Sequence, residues 1–126
     1  MAWRSDFAQQ FMAVVEFYVG GKVTKLRALE ALRLFVTEVH DAEKYFDRNN
    51  AWRITHEGTI LAMAEAVMKK NGNLVRKAMG GHAKSMAKLR KLLVDESEKR
   101  IEIEDAEKAI KSEIGRLKDD TRRDLS

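Results

Sequence analysis

Not one proline interrupts these 126 residues. Nothing in the chain therefore removes a backbone donor from a helix interior or forces a kink there. Apolar side chains recur at intervals of three and four along most of the length, the period of helices with one buried face. No run alternates with a period of two, so no sheet is expected. The pattern predicts an all-α fold, a bundle of four to five helices in a single domain over residues 1–126.

The segments are read as follows. Ser5 caps a first helix over about 6–19, with Phe7, Phe11, Val14, Val15 and Tyr18 on one face and Gly20-Gly21 as its end. Thr24 caps a second over 24–46, where Ala28, Leu32, Phe35, Val36, Val39, Ala42 and Phe46 form the apolar stripe. Asp47-Arg48-Asn49-Asn50 is a turn cluster. Asn50 caps a third helix over 51–70 that buries Ile60, Ala64, Val67 and Met68, and Gly72 ends it in a left-handed conformation. Asn73 caps a fourth over 74–94, in which Val75, Met79, His82, Met86, Leu89 and Leu93 make a heptad-like seam. The seam places His82 in the apolar interior. A fifth helix over 98–118 carries Ile103, Ala106, Ile110, Ile114 and Leu117, and the tail 119–126 is polar.

Charge is distributed unevenly along this pattern. Between Glu65 and Asp95 no acidic residue occurs, whereas Lys69, Lys70, Arg76, Lys77, Lys84, Lys88, Arg90 and Lys91 all fall there. Residues 1–65 and 95–126 are each mildly acidic, although the whole chain has a net charge of +4. One basic block between acidic ends suggests a surface for a polyanion. On a continuous fourth helix, Lys77, Lys84, Lys88 and Lys91 form a row roughly 20 Å long, opposite the seam. Gly80 and Gly81 flank that row and let a phosphate backbone approach closely. Such a row neutralises phosphates and releases counterions without reading bases, so sequence-tolerant binding of double-stranded DNA is expected. A lysine-rich face for an acidic partner protein is the competing use, and the acidic fifth helix is a possible internal partner for the row.

Other chemistry is sparsely supplied. The chain has no Cys, which excludes disulfides, thiolate metal sites and cysteine nucleophiles. His40, His56 and His82 lack zincin spacing, no Glu-x-x-His pair exists, and no Gly-rich loop leads into Lys-Ser/Thr. Neither an enzyme, a metal nor a cofactor is expected. Trp3 and Trp52 are read as packing or interface anchors. The uncharged runs are too short to span a bilayer, and the N-terminus lacks signal-peptide order, so an intracellular location is expected. Lys and Glu abound while Gln occurs only at positions 9 and 10, a composition seen in hyperthermophiles and in helix-rich chains alike.

Two resemblances follow from these residues. Asn71-Gly72-Asn73-Leu74-Val75-Arg76-Lys77-Ala78, then Gly81 and Lys88-Leu89-Arg90-Lys91-Leu92, resembles the C-terminal helix-turn-helix of the Fis-like nucleoid and regulator family. Its turn glycine is out of register by one position, Lys77 stands where that family has a small residue, and His82 where it has an apolar one. The Phe7/Phe11/Tyr18 helix, the Val75–Leu93 seam and the Lys77–Lys91 row together look like the helical coat proteins of rod-shaped and filamentous viruses of hyperthermophilic archaea. That second resemblance implies helical subunits paired into dimers that wrap double-stranded DNA without reading its sequence, within a virion, and homo- or hetero-oligomers joined through helical seams are expected. The leading expectation is such a coat or nucleocapsid subunit. The alternatives are a helix-turn-helix regulator and a protein-interaction module with a basic docking face.

Overall fold

The structure is a computed structural model that describes residues 2–38 and 40–125, with side chains described for 7–38 and 40–120. Among the described residues it is all-α, without a strand, and has seven helices where four to five are expected. They are α1 (Ala2–Val19), α2 (Lys25–Thr37), α3 (Ala42–Arg48), α4 (Glu57–Lys70), α5 (Gly72–Met79), α6 (Ala83–Glu96) and α7 (Ile103–Leu125). Contacts divide the chain into two compact units, Met1–Arg53 and Ile54–Ser126, where the sequence suggests one domain.

The extra helices arise where local hydrogen bonds override a continuous apolar stripe. The second expected helix stops at Glu38, whose extended backbone (φ −149°) ends α2. Asp41 starts α3 afresh, its Oδ1 accepting the Lys44 N–H at 3.0 Å. Phe35 and Phe46 are fully buried but lie on different helices, and Val36, expected inside, is 71% exposed. Val39 lies outside the described residues.

Four helix ends share one device. In each, an amide N–H reaches back five residues and the preceding N–H reaches back three, the Schellman pattern that satisfies orphan carbonyls. The long bonds are Lys22 to Phe17, Ala51 to Phe46, His82 to Lys77 and Lys99 to Val94. The residue before each long-bond donor has a positive φ: Gly21 at 74°, Asn50 at 49°, Gly81 at 90° and Glu98 at 57°. Asn50 therefore closes α3 instead of capping the next helix. Residues 51–56 are not helical, and α4 begins only at Glu57 behind His56. Gly72 is the first residue of α5, not a left-handed terminator, and Asn71 stands at the N-cap in place of Asn73. Asp95 and Glu96 complete α6, and α7 runs from Ile103 to Leu125, later at both ends than the expected 98–118.

In the first unit, Val14, Val23, Ala28, Ala31, Phe35, Ala42, Phe46 and Ala51 form the core. Each large member contributes about 1.5–3 kcal/mol through burial. Around it Phe17, Tyr45 and Trp52 pack edge-on or tilted, and Trp52 Nε1 donates to Asp47 Oδ1 at 2.6 Å. Trp52 is thus a packing anchor, while the Trp3 side chain lies outside the described residues. Gln10 Oε1 accepts the Ala42 N–H at 2.8 Å and ties α1 to the start of α3.

In the second unit α4, α5 and α6 pack against one another and α7 packs on all three. Ile60, Ala64, Val67, Met68, Val75, Leu89, Leu93, Ile101, Ala106, Ile110 and Ile114 are buried there. Ser97, also buried, donates its hydroxyl to the Val94 carbonyl at 2.7 Å and accepts the Ile101 N–H at 3.1 Å. That pair of bonds anchors the α6–α7 connection. No helix among the described residues is long and apolar enough to cross a membrane.

Candidate nucleic-acid interface

The basic block maps onto the second unit, from the end of α4 to most of α6, and its cations take different roles. Lys69 and Lys70 are exposed in the last turn of α4, where a positive charge complements the helix dipole. Lys69 Nζ also lies 3.3 Å from Glu65 Oε1. Arg76 and Lys77 are exposed in the last turn of α5, and the Arg76 guanidinium donates to Asn73 Oδ1. Arg90 is half-buried, and its Nη1 is 4.0 Å from Glu107 Oε1 on α7. To that extent the acidic last helix does partner the block.

The continuous fourth helix does not exist, because Gly80 and Gly81 break it. Gly80 is the C-cap of α5, and Gly81 at φ 90° lies in a region that L side chains rarely adopt. Both are exposed, and their first task is the turn. The lysine row is accordingly split. Lys77 lies in the last turn of α5, while Lys84, Lys88 and Lys91 recur at i, i+4 and i+7 on one exposed face of α6 over about 10 Å. The bond from the His82 N–H to the Lys77 carbonyl, 3.1 Å, closes the turn between the two pieces. Among the described residues none of these four lysines has an ion pair.

His82 does not lie on a buried seam, which corrects the sequence expectation. It is exposed and caps α6, with Nδ1 accepting the Ser85 N–H at 3.2 Å and 2.6 Å from Ser85 Oγ. His56 does the same for α4 through Thr59, at 3.1 Å to the N–H and 3.0 Å to Oγ1. An acceptor at Nδ1 requires the tautomer protonated at Nε2. His40 lies 3.5 Å from Glu38 Oε1 and packs beside the Phe35 and Tyr45 rings. All three histidines thus have local structural roles. Sequence reasoning missed the two caps, although both sit in a His-x-x-Ser/Thr pattern that mirrors a capping box.

Electrostatically, the start of α6 is unusual. Its first turn holds no acidic residue and does hold Lys84, a charge that opposes the dipole by about 0.3–1 kcal/mol. An anion at that end reverses the penalty, since free N–H groups and the lysine both face negative charge favourably. Elsewhere in the unit, Glu113 is nearly buried and accepts two hydrogen bonds from Arg116, at 2.9 and 3.2 Å. That hydrogen bond and the Glu113 charge push the Arg116 guanidinium above its ordinary range. Among the described residues no three or more His, Cys, Asp or Glu side chains come together in a way that could hold a metal ion.

No protein-family model matches this sequence, and no curated protein matches it either.

Proposed function

We propose that the second unit binds double-stranded DNA through α5, the Gly80–Gly81 turn and α6, with lysines on the phosphate backbone supplying most of the affinity. The observation that carries this reading is the set Lys77, Lys84, Lys88 and Lys91. All four are exposed and free of ion pairs among the described residues; Lys77 and Lys84 flank a helix start that lacks acid, and Lys88 and Lys91 continue along α6. Each phosphate neutralised releases a counterion, so binding should fall steeply with salt and depend little on sequence. A non-enzymatic packaging role follows, as a nucleoprotein or coat subunit that oligomerises through apolar helix faces.

One structural feature favours a second reading. The break between α5 and α6 creates two short helices joined by a glycine turn, the layout in which a second helix enters the major groove. On that reading Lys84 and Lys88 meet the duplex near the start of a recognition helix, and the protein is a site-selective regulator. Competition of one labelled duplex against unrelated duplexes at fixed salt separates the two. Equal competition by all sequences supports packaging, and a preference of about a thousandfold or more for one site supports a regulator.

A further inference from the structure

Between α6 and α7 the second unit holds an open groove of about 530 Å³. One wall is Ala83, Met86, Ala87 and Arg90 of α6. The other is Lys111, Ile114, Gly115 and Lys118 of α7. Both walls follow the i, i+3, i+4, i+7 spacing of a single helix face, so each runs about two turns, roughly 10 Å. Ala83, Ala87 and Gly115 keep the walls low, and a Cβ added at Gly115 would meet nothing within 4 Å. The cations outnumber the acids. Glu107 Oε1 is shared between Lys111 Nζ at 3.4 Å and Arg90 Nη1 at 4.0 Å, and Lys118 adds a further positive charge.

We propose that this groove docks an acidic amphipathic α-helix of a partner protein. Two antiparallel or parallel walls with helical spacing offer ridges and gaps to a third helix, and small residues let its axis approach to about 8–10 Å. Apolar residues of the incoming helix cover the half-buried Met86 and the exposed Ala83 and Ala87, and carboxylates on its flanks complement Arg90, Lys111 and Lys118. The groove is distinct from the lysine face, which lies about 120° away around α6 at about 100° per residue. Gly81 lines both the groove and the proposed DNA surface, whereas Lys111, Gly115 and Lys118 of α7 belong to the groove alone.

The test uses the full chain and a fluorescent synthetic helix of about 15 residues, long enough to be partly helical alone. Leucines occupy one face at i, i+3 and i+7, with glutamates on both flanks. A control peptide keeps the leucines and carries lysine in place of glutamate. The acidic peptide should bind and the control should not. Lys111→Glu with Lys118→Glu should weaken binding by about tenfold or more, since both are exposed charges on a helix that remains intact. Gly115→Leu should fill the groove and abolish binding while duplex DNA affinity changes by less than about twofold. No binding of the acidic peptide, equal binding of the control, or undiminished binding to the Gly115→Leu or the double-charge variant would each overturn the proposal.

Discussion

The carbonyl of Lys77 accepts the amide N–H of His82 at 3.1 Å, closing a turn in which Gly81 alone supplies the positive φ of 90°. This one bond decides how the basic block is presented. A continuous helix would carry Lys77 about two turns below Lys84 on a straight row. The closed turn instead ends one helix at Met79, with Lys77 in its last turn, and starts another with Lys84 in its first turn, so cations from two helices border one helix start.

The turn should be sensitive to a single methyl group. Gly81→Ala meets no steric obstacle, since a Cβ there has nothing within 4 Å, but it must hold φ near 90°. The backbone conformation should cost about 1–2 kcal/mol. Thermal denaturation should show a melting temperature lower by several degrees. A variant as stable as the parent would mean that the α5–α6 turn is not closed in this way.

His82 offers a separation of folding from binding. His82→Ala and His82→Leu should each lose about 1 kcal/mol by removing the acceptor for the Ser85 N–H. His82→Asp should restore the cap and favour the α6 dipole, yet bring a negative charge to the lysine cluster. That variant should melt at or above the parent temperature and bind duplex DNA more weakly. If His82→Leu proves at least as stable as the parent, the capping role is wrong.

Gly115 lies inside α7 with open space around it. Gly115→Ala should therefore stabilise the second unit by about 0.5–1 kcal/mol, because Ala restricts the unfolded chain and suits a helix interior. Chemical denaturation should show a higher midpoint with an unchanged slope. A lower midpoint would indicate that the groove floor is tighter than the structure has it.

The all-helical class and much of the core were legible in the sequence because the apolar spacing of Ile60, Ala64 and Val67, or Ala106, Ile110 and Ile114, reports a buried helix face directly. The breaks were not. Phe35 and Phe46 keep helical spacing across the gap at 38–41, so periodicity alone runs through it. Likewise the seam from Val75 to Leu93 passes His82, whose imidazole caps a helix end from an exposed position. The basic character of the candidate site was visible as the acid-free stretch, but its division was not. The Glu65–Lys69 pair follows from i, i+4 spacing, whereas Arg90 turns towards Glu107, which only the packing of α7 reveals. The positive φ at Asn50 and Glu98 left still less trace, since neither is a glycine.

The most direct measurement is duplex affinity against salt for the parent and for a variant with Lys77, Lys84, Lys88 and Lys91 all replaced by Gln. All four are exposed, so helicity should be unchanged. Each lost phosphate contact should flatten the slope of log K against log salt by about 0.9 for duplex DNA, and unrelated sequences should weaken equally. Replacing Lys22, Lys25 and Lys44 instead should have a smaller effect, because they lie in the mildly acidic first part of the chain. A quadruple variant that binds duplex DNA as tightly as the parent across the salt range would show that these lysines form only a solvated surface.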